Sequence, residues 1–352
     1  MKEKEYFVKN LRRIINNENI SSEESFNCLK LLLDHKLGNA NDTCFGAYLS
    51  SLMTKGATID EVYGLIDCVL NYDCQKLEIN HDKSIPLCGI IGSGKDDVKT
   101  FNVSSISAVV AASCGVKVLK NGSRSEASIA GTTDVFEYLG LNILEHRKEI
   151  LEKSLNETNF VFCDVEPYFP RMNKEYMGKF FFVHPLSYIL PIASGIKFDR
   201  VLFGLANDNT ELTAELLIKL GYDNSIVVAG HDMNGNNFDE ISNIGPTKIS
   251  EIKNGKVKTY IVMPDVFGIK RGKKENILEG KSVKDNADIF MNILSSKEID
   301  DKVNIILMNA GALIYISGLA NTIKEGISLA KESILSGKAL SHFNKIKEVL
   351  KW

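Results

Sequence analysis

The sequence predicts an α/β protein: a small N-terminal helical domain, then a larger α/β domain with a largely parallel central sheet flanked by helices. Three observations carry that expectation. Residues 1 to about 75 space their apolar side chains as helices do and carry two helix-start signatures. From Pro86 onward, short apolar runs alternate with helical stretches, the order of elements that builds a parallel sheet. Loops rich in Gly, Ser, Lys and Asn follow two of those runs directly. The division expected is a helical domain over 1–78 and an α/β domain over 79–352.

In the first domain, Phe7, Leu11 and Ile14 fall on one stripe of a first helix. Ser21 and Glu24 have the spacing of a capping box, followed by Phe26, Leu29 and Leu33 as the buried face. Residues 44–54 read as a third helix ending near Gly56. Thr58 and Glu61 open a fourth with a second capping box, and Val62, Leu65, Ile66 and Val69 point inward. Helices this short must pack on each other or on a second copy. A dimerisation and lid domain and a plain helical subdomain both fit.

In the second domain, residues 86–91 read as a buried strand because a turn cluster closes them at once. Residues 106–114 form an apolar helix, and 116–119 a second strand. Further strands are expected over 160–163, 201–205, 226–228, 258–262 and 305–309, with helices over 210–220 and 311–320. The Lys-rich segment 270–274 reads as a solvated loop.

Composition narrows the function. Of 352 residues, 44% are hydrophobic and 25% charged, ordinary globular values. A net charge of −3 argues against a broad nucleic-acid surface, so nucleic acid is not an expected partner. The seven cysteines form no CxxC pair, and several lie in apolar runs, which fits buried thiols in a reducing compartment. The N-terminus is charged and no run of about 18 apolar residues occurs. A cytoplasmic protein without a membrane partner is expected.

The chemistry concentrates in residues 88–140. Gly92-Ser93-Gly94-Lys95-Asp96 follows the first strand, and its glycines allow a tight turn that aims N–H groups at an anion. Asn102-Val103-Ser104-Ser105 opens a helix whose N-terminus carries free N–H groups and the positive end of the dipole. Lys120-Asn121-Gly122-Ser123-Arg124 follows the second strand, placing a cation at the mouth of a glycine turn. Two such junctions suit a polyphosphate, although the spacing is neither a Walker loop nor a dinucleotide fingerprint. Further on, Asp239-Glu240 follows the strand at 226–228. Adjacent carboxylates there suit either Mg²⁺ shared with substrate phosphates or a solvated acidic loop.

The ordered set resembles the anthranilate phosphoribosyltransferase family. That family's pattern runs G-T-G-G-D, N-I-S-T, K-H-G-N-R and S-S-x-x-G-[ST]-x-D, and here it falls on Gly92 to Asp96, Asn102 to Ser105, Lys120 to Arg124 and Ala127 to Asp134. The loop from Gly230 to Ser242 is similar to the family's G-x-D-G-x-D-E-I-S with two extra residues, and the likeness reaches Leu340. The resemblance implies a Mg²⁺-dependent transfer of phosphoribose from phosphoribosyl pyrophosphate (PRPP) to an aromatic or heterocyclic nitrogen acceptor. It implies a PRPP site of Gly92, Ser93, Gly94, Lys95, Asp96, Thr100, Asn102, Ser104, Ser105, Lys120, Gly122, Ser128 and Thr132, with Lys120 and Asp96 as the catalytic pair. It implies a metal held by Ser104, Asp239 and Glu240, a homodimer paired through the helical domain, and a return of residues 173–192 to that domain.

Departures from the pattern fall mostly in the acceptor half. Lys95 stands where the family has a second glycine, the family's histidine is Asn121, and its asparagine is Ser123. The His-Pro pair corresponds to Glu166-Pro167, and the arginine that would meet the acceptor carboxylate has only Lys174 or Arg171 near it. Lysine is no bidentate substitute for arginine. An altered acceptor pocket of Asn121, Ser123, Glu166, Arg171 and Lys174 is therefore expected. The alternatives are a nucleoside-phosphorylase-like enzyme, disfavoured by Asn102 to Ser105 together with Asp239-Glu240, and a non-catalytic nucleic-acid-binding relative, disfavoured by the charge.

Overall fold

The structure is a computed structural model and describes residues 2–351 except 95, 125–128, 145 and 181–183, together with the side chain of 188. The chain forms two compact units, Met1–Lys76 with Val165–Gly195, and Leu77–Asp164 with Ile196–Trp352.

The first unit is helical, with helices Lys2–Ile15, Ser22–Leu33, Asn41–Lys55 and Ile59–Cys68 and a short later helix, Pro170–Glu175. Both capping boxes close: Ser21 and Thr58 each accept from the backbone N–H three residues on, and Glu24 and Glu61 reach back. Glu61 does more than cap. Its carboxylate also accepts from Ile20 N–H and pairs with Lys55 at 2.8 Å, which makes a buried acid tolerable. On the first helix the buried stripe is Phe7, Asn10 and Ile14 rather than Phe7, Leu11 and Ile14. The i, i+3, i+7 rows win, and Asn10 satisfies its buried amide by donating to Tyr6 O.

The second unit is built on one sheet. Its strands are β1 (Leu87–Gly92), β2 (Lys117–Gly122), β3 (Phe160–Asp164), β4 (Arg200–Gly204), β5 (Ile226–His231), β6 (Asn237–Phe238), β7 (Thr247–Lys253) and β8 (Lys256–Val262). Their order is β3-β2-β1-β4-β5-β7-β8, with β6 pairing on β5. The first five are parallel, and β7 and β8 extend the sheet antiparallel. Asn254 and Gly255, both at positive φ, make the two-residue turn between β7 and β8. Strand order reverses between β1 and β4, so the crevice at the carboxyl ends of those two strands is where such a sheet takes its ligand.

One expected strand is a helix. Residues 305–309 lie in the helix Asp301–Ser317, capped by Asp300, whose Oδ1 accepts from Val303 N–H, and ended by Gly318 at φ 92°. Apart from Asn309 the run is apolar because the helix is buried on all sides, and so short an apolar run cannot distinguish a buried helix from a buried strand. The helix expected over 311–320 is its second half. Gly311 is required at its centre, since a Cβ there would lie 2.6 Å from Ile327 Cγ1 on the helix Ile323–Leu335. This helix and Val103–Ser113 lie against the sheet face that carries Cys88, Ile90, Val118, Leu202 and Val228. Among the described residues, no helix is long and apolar enough to cross a membrane.

Candidate active site

The carboxyl ends of β1, β4 and β5 close around one acidic loop. The turn after β1 and the Asp239-Glu240 segment are in direct contact: Gly94 N–H donates to Asp239 Oδ2 at 2.7 Å. Ser93 N–H donates to Gly204 O, and Ser93 Oγ accepts from Ala206 N–H, tying β1 to β4 at the reversal point. The two glycines of the turn have different reasons. Gly94 sits at φ 65°, where L side chains are strained. Gly92 has ordinary dihedrals but no room, because a Cβ would lie 2.3 Å from Asp239 Oδ2. Gly204 is tighter still, 1.6 Å from Asp239 O. Ser93 and Gly94 N–H thus both donate to the protein's own oxygens.

The acidic pair is not a solvated loop. Glu240 is 7% exposed and Asp239 is half-buried. Their segment is held from both sides. Ser242 Oγ donates to His231 O and accepts from Ile244 and Gly245 N–H, while Thr247 Oγ1 accepts from Ser242 N–H. Asn309, reaching from the buried helix, accepts from Ile241 N–H and donates to Ile241 O.

Burial sets the electrostatics. It pushes the Glu240 carboxyl well above its ordinary range, and repulsion from Asp239 and Asp96 adds to it. Asp239 is raised by burial although Gly94 N–H and Lys120 pull it down. Asp96 is raised to about 8 by burial and then by Asp239. Thr100 Oγ1 donates to both oxygens of Glu240 at 3.4 Å. Lys120, expected at the mouth of its loop, is instead 4% exposed on β2, with Nζ donating to Asn121 O at 2.7 Å. Burial lowers its ammonium to about 8, outweighing the attraction of Asp239 and Glu240.

Three mutually repelling carboxylates against one ammonium leave a net charge of −2 when all are ionised, the complement of a divalent cation. Among the described residues, no three His, Cys, Asp or Glu side chains close around a single point. The carboxylates therefore share a field without forming a cage. That donor set fits Mg²⁺, which takes one or two carboxylates and fills the rest of its shell from water and phosphate. Asp96 Oδ1 and Asn102 Oδ1 are both buried without a hydrogen-bond partner among the described residues, so the site also has unspent acceptors.

A second group surrounds the start of the helix Val103–Ser113. Asn102 Nδ2 donates to Ala130 O, Ser105 Oγ lies 3.1 Å from Thr132 Oγ1, and Ser104 is half-buried on the first turn. Gly122 admits no side chain, because a Cβ would meet the Phe162 ring at 2.6 Å. Lys95 and Ser128 lie outside the described residues. The residues expected to hold PRPP and metal that are described all belong to the second unit.

Of the expected acceptor residues, Asn121 is buried at the end of β2, and Ser123 O accepts from Thr133 N–H. In the first unit, Arg171 is already committed. Its guanidinium lies 3.3 Å from Asp34 and 3.6 Å from Asp73 and stacks 4.7 Å from the Tyr72 ring, while its N–H donates to Asp73. Lys174 is 77% exposed and pairs with Glu175, and Glu166 O accepts from Asn173 Nδ2. Asp34 and Asp73 together hold the Arg171 guanidinium within the first unit.

Sequence reasoning missed Gly204 and Asn309. The signal for Asn309 was present, an amide inside an otherwise apolar run, but that run was read as a strand.

Comparison with known proteins agrees with this geometry. The family model "Glycosyl transferase family, a/b domain" matches residues 85–340. Anthranilate phosphoribosyltransferase from a Thermoanaerobacter species is 33% identical over 341 residues, covering 96% of this chain and 97% of that one. The enzyme of that name from Alkaliphilus metalliredigens is also 33% identical, with 95% of each chain covered. The crystal structure of anthranilate phosphoribosyltransferase from Thermus thermophilus superposes with a TM-score of 0.84 at 25% identity, covering 97% of this chain and 99% of that one. The Saccharomyces cerevisiae enzyme in complex with PRPP and Mg shares the fold, with a TM-score of 0.83 at 22% identity and coverage of 98% and 97%. On the extent of these matches, and on four ordered motifs of which two follow β1 and β2, the chain belongs to the anthranilate phosphoribosyltransferase family of glycosyl transferases.

Proposed function

We propose that this protein transfers the phosphoribosyl group of PRPP to a nitrogen acceptor. The observation that carries the reading is the set of half-buried Asp96 and Asp239 with buried Glu240, sharing a field with the buried Lys120, where Gly92 and Gly204 admit no side chain against Asp239. Asp239 and Glu240 would hold magnesium, with Ser104 at the adjacent helix start. Bound there, the metal supplies positive charge shared with the pyrophosphate oxygens. Lys120 supplies a second cation, and the start of the helix Val103–Ser113, with Asn102, Ser105 and Thr132, supplies hydroxyl, amide and backbone donors. In the reaction, the C1–O bond breaks and its electron pair leaves on pyrophosphate. The acceptor nitrogen's lone pair forms the C1–N bond from the opposite face, and its N–H proton passes to water. The chain's work is electrostatic, because charge grows on the leaving group while the side chains stay fixed.

Calorimetry tests the reading. The wild type is expected to bind PRPP only with Mg²⁺, and Lys120→Ala to weaken that binding by about 1.5–3 kcal/mol, the scale of a hydrogen bond to a charged group. Metal-independent binding, or unchanged affinity in a folded Lys120→Ala, would refute it.

The acceptor differs from anthranilate in this reading. A buried unpaired carboxylate costs several kcal/mol, and the cations nearest the family's arginine position are engaged, Arg171 by Asp34 and Asp73 and Lys174 by Glu175. Asn121 and Ser123, in the second unit, carry no charge to pair with a carboxylate, so a neutral nitrogen compound suits them better. At saturating PRPP, uncharged aromatic and heteroaromatic amines are expected to outperform anthranilate. Efficient turnover of anthranilate, lost on Arg171→Ala or Lys174→Ala, would sink the idea.

A further inference from the structure

The helix Asp301–Ser317 carries one buried polar side chain between Ile305 and Ile314, and that side chain is Asn309, 2% exposed. A leucine there would match its neighbours, and burying an amide in apolar surroundings costs free energy unless its hydrogen bonds are made. They are made, on one target. Oδ1 accepts from Ile241 N–H at 2.9 Å, and Nδ2 donates to Ile241 O at 3.2 Å and to Ile305 O at 2.9 Å. Ile241 directly follows Glu240 and lies outside the named strands, so no ladder supplies partners for its peptide groups. The side chain of Asn309 takes the place of a neighbouring strand at that one residue.

The consequence reaches the carboxylates. Asp239 and Glu240 directly precede the peptide that Asn309 holds. On one side the segment rests on Gly92, Gly204 and Gly230, and on the other Asn309 holds its last peptide. We propose that Asn309 is a positioning residue of the donor site, whose amide grips the Ile241 peptide and so fixes the Asp239 and Glu240 carboxylates where a Mg²⁺–PRPP complex would meet them. This rests on the donor-site reading above. Asn309 touches neither substrate nor metal and acts through the backbone it holds.

The test uses Asn309→Asp, which keeps an acceptor for Ile241 N–H and loses both donated bonds, and Asn309→Ser, which leaves a hydroxyl too short to span the peptide. Hydrogen exchange without ligand is expected to show faster exchange at Ile241 and Ser242, with β5 unchanged. In calorimetry, the Mg²⁺ concentration giving half-maximal PRPP binding is expected to rise at least tenfold, and excess Mg²⁺ to restore binding, which it would not do for a generally loosened fold. The KM of the nitrogen acceptor is expected to stay unchanged. An unaltered Mg²⁺ requirement with normal exchange overturns the proposal, as does failure of both variants to fold or a binding loss that Mg²⁺ does not restore. A wild type that shows no Mg²⁺-dependent PRPP binding, with both variants exchanging as expected, overturns the donor-site reading and the functional half of this one. The Asn309 grip itself would stand.

Discussion

Replacing Gly92 by alanine separates the site from the fold more cleanly than removing a carboxylate. The residue has ordinary dihedrals, so alanine meets no backbone strain there. It gains a little from the less flexible unfolded chain, about 0.4–1 kcal/mol. What it meets is Asp239. The added methyl would lie 2.3 Å from Oδ2 and 2.8 Å from Cγ, well inside the 3.0 Å that real Cβ contacts respect. The carboxylate must move by at least about 0.7 Å, which puts its 2.7 Å bond from Gly94 N–H beyond good hydrogen-bond geometry. A hydrogen bond to a charged group is worth about 1.5–3 kcal/mol, or roughly 10- to 150-fold in affinity, if the carboxylate must return to its place when metal and PRPP bind.

The expected result for Gly92→Ala is a melting temperature within a few degrees of wild type and Mg²⁺-dependent PRPP binding weakened by one to two orders of magnitude. Gly204→Ala is the control. There the Cβ would lie 1.6 Å from the backbone oxygen of Asp239, which no side-chain rotation relieves, so the folded state itself should suffer. Differential scanning calorimetry and titration calorimetry on both variants decide the matter. The reasoning fails if Gly92→Ala binds within twofold of wild type, or if Gly204→Ala is as stable as wild type.

Two further outcomes follow from the buried charges. Glu240 is held above its ordinary value of 4.5 in the folded chain, so its stabilising contribution is complete below that value and is lost as pH rises through the raised one. Glu240→Gln should therefore leave the ligand-free melting temperature nearly unchanged at pH 5 and raise it at pH 9, while abolishing Mg²⁺-dependent PRPP binding; an equal shift at both pH values would count against a buried, repelled carboxylate. Lys120 is lowered to about 8, so the ammonium that an anion would meet is present below that pH and absent above it. PRPP affinity should fall above pH 8 with proton uptake on binding, a slope that Lys120→Met should remove.

The sequence made some of this legible and hid the rest for identifiable reasons. Strand-then-glycine junctions marked β1 and β2, and two capping boxes marked helix starts to the residue, because caps and tight turns are local. The helix at 301–317 was hidden because a segment buried on every side has no period to show. The burial of Asp239-Glu240 was hidden because charge density in a sequence says nothing about what lies across the sheet. Here it is Gly92 and Gly204, two strands' worth of missing side chains, that let an acidic loop lie against the strand ends. Gly92 was read as a turn former, and its actual reason, space for a carboxylate more than a hundred residues away, is a tertiary one.

The same geometry explains why the site needs so much support. Three carboxylates brought together at the end of a sheet oppose folding, and one buried ammonium, itself weakened by burial, offsets only part of that. The remainder must come from contacts that do not titrate. These are the Ser242 and Thr247 hydrogen bonds around the loop, the Asn309 amide, and the close packing of the helix Asp301–Ser317 against Ile327 through Gly311. A site held this way would need little reorganisation as charge grows on the leaving group of the proposed reaction. In the proposed reading the strain sits in the ligand-free protein and a bound cation would relieve it, so ligand affinity and ligand-free stability should move in opposite directions when Glu240 is neutralised.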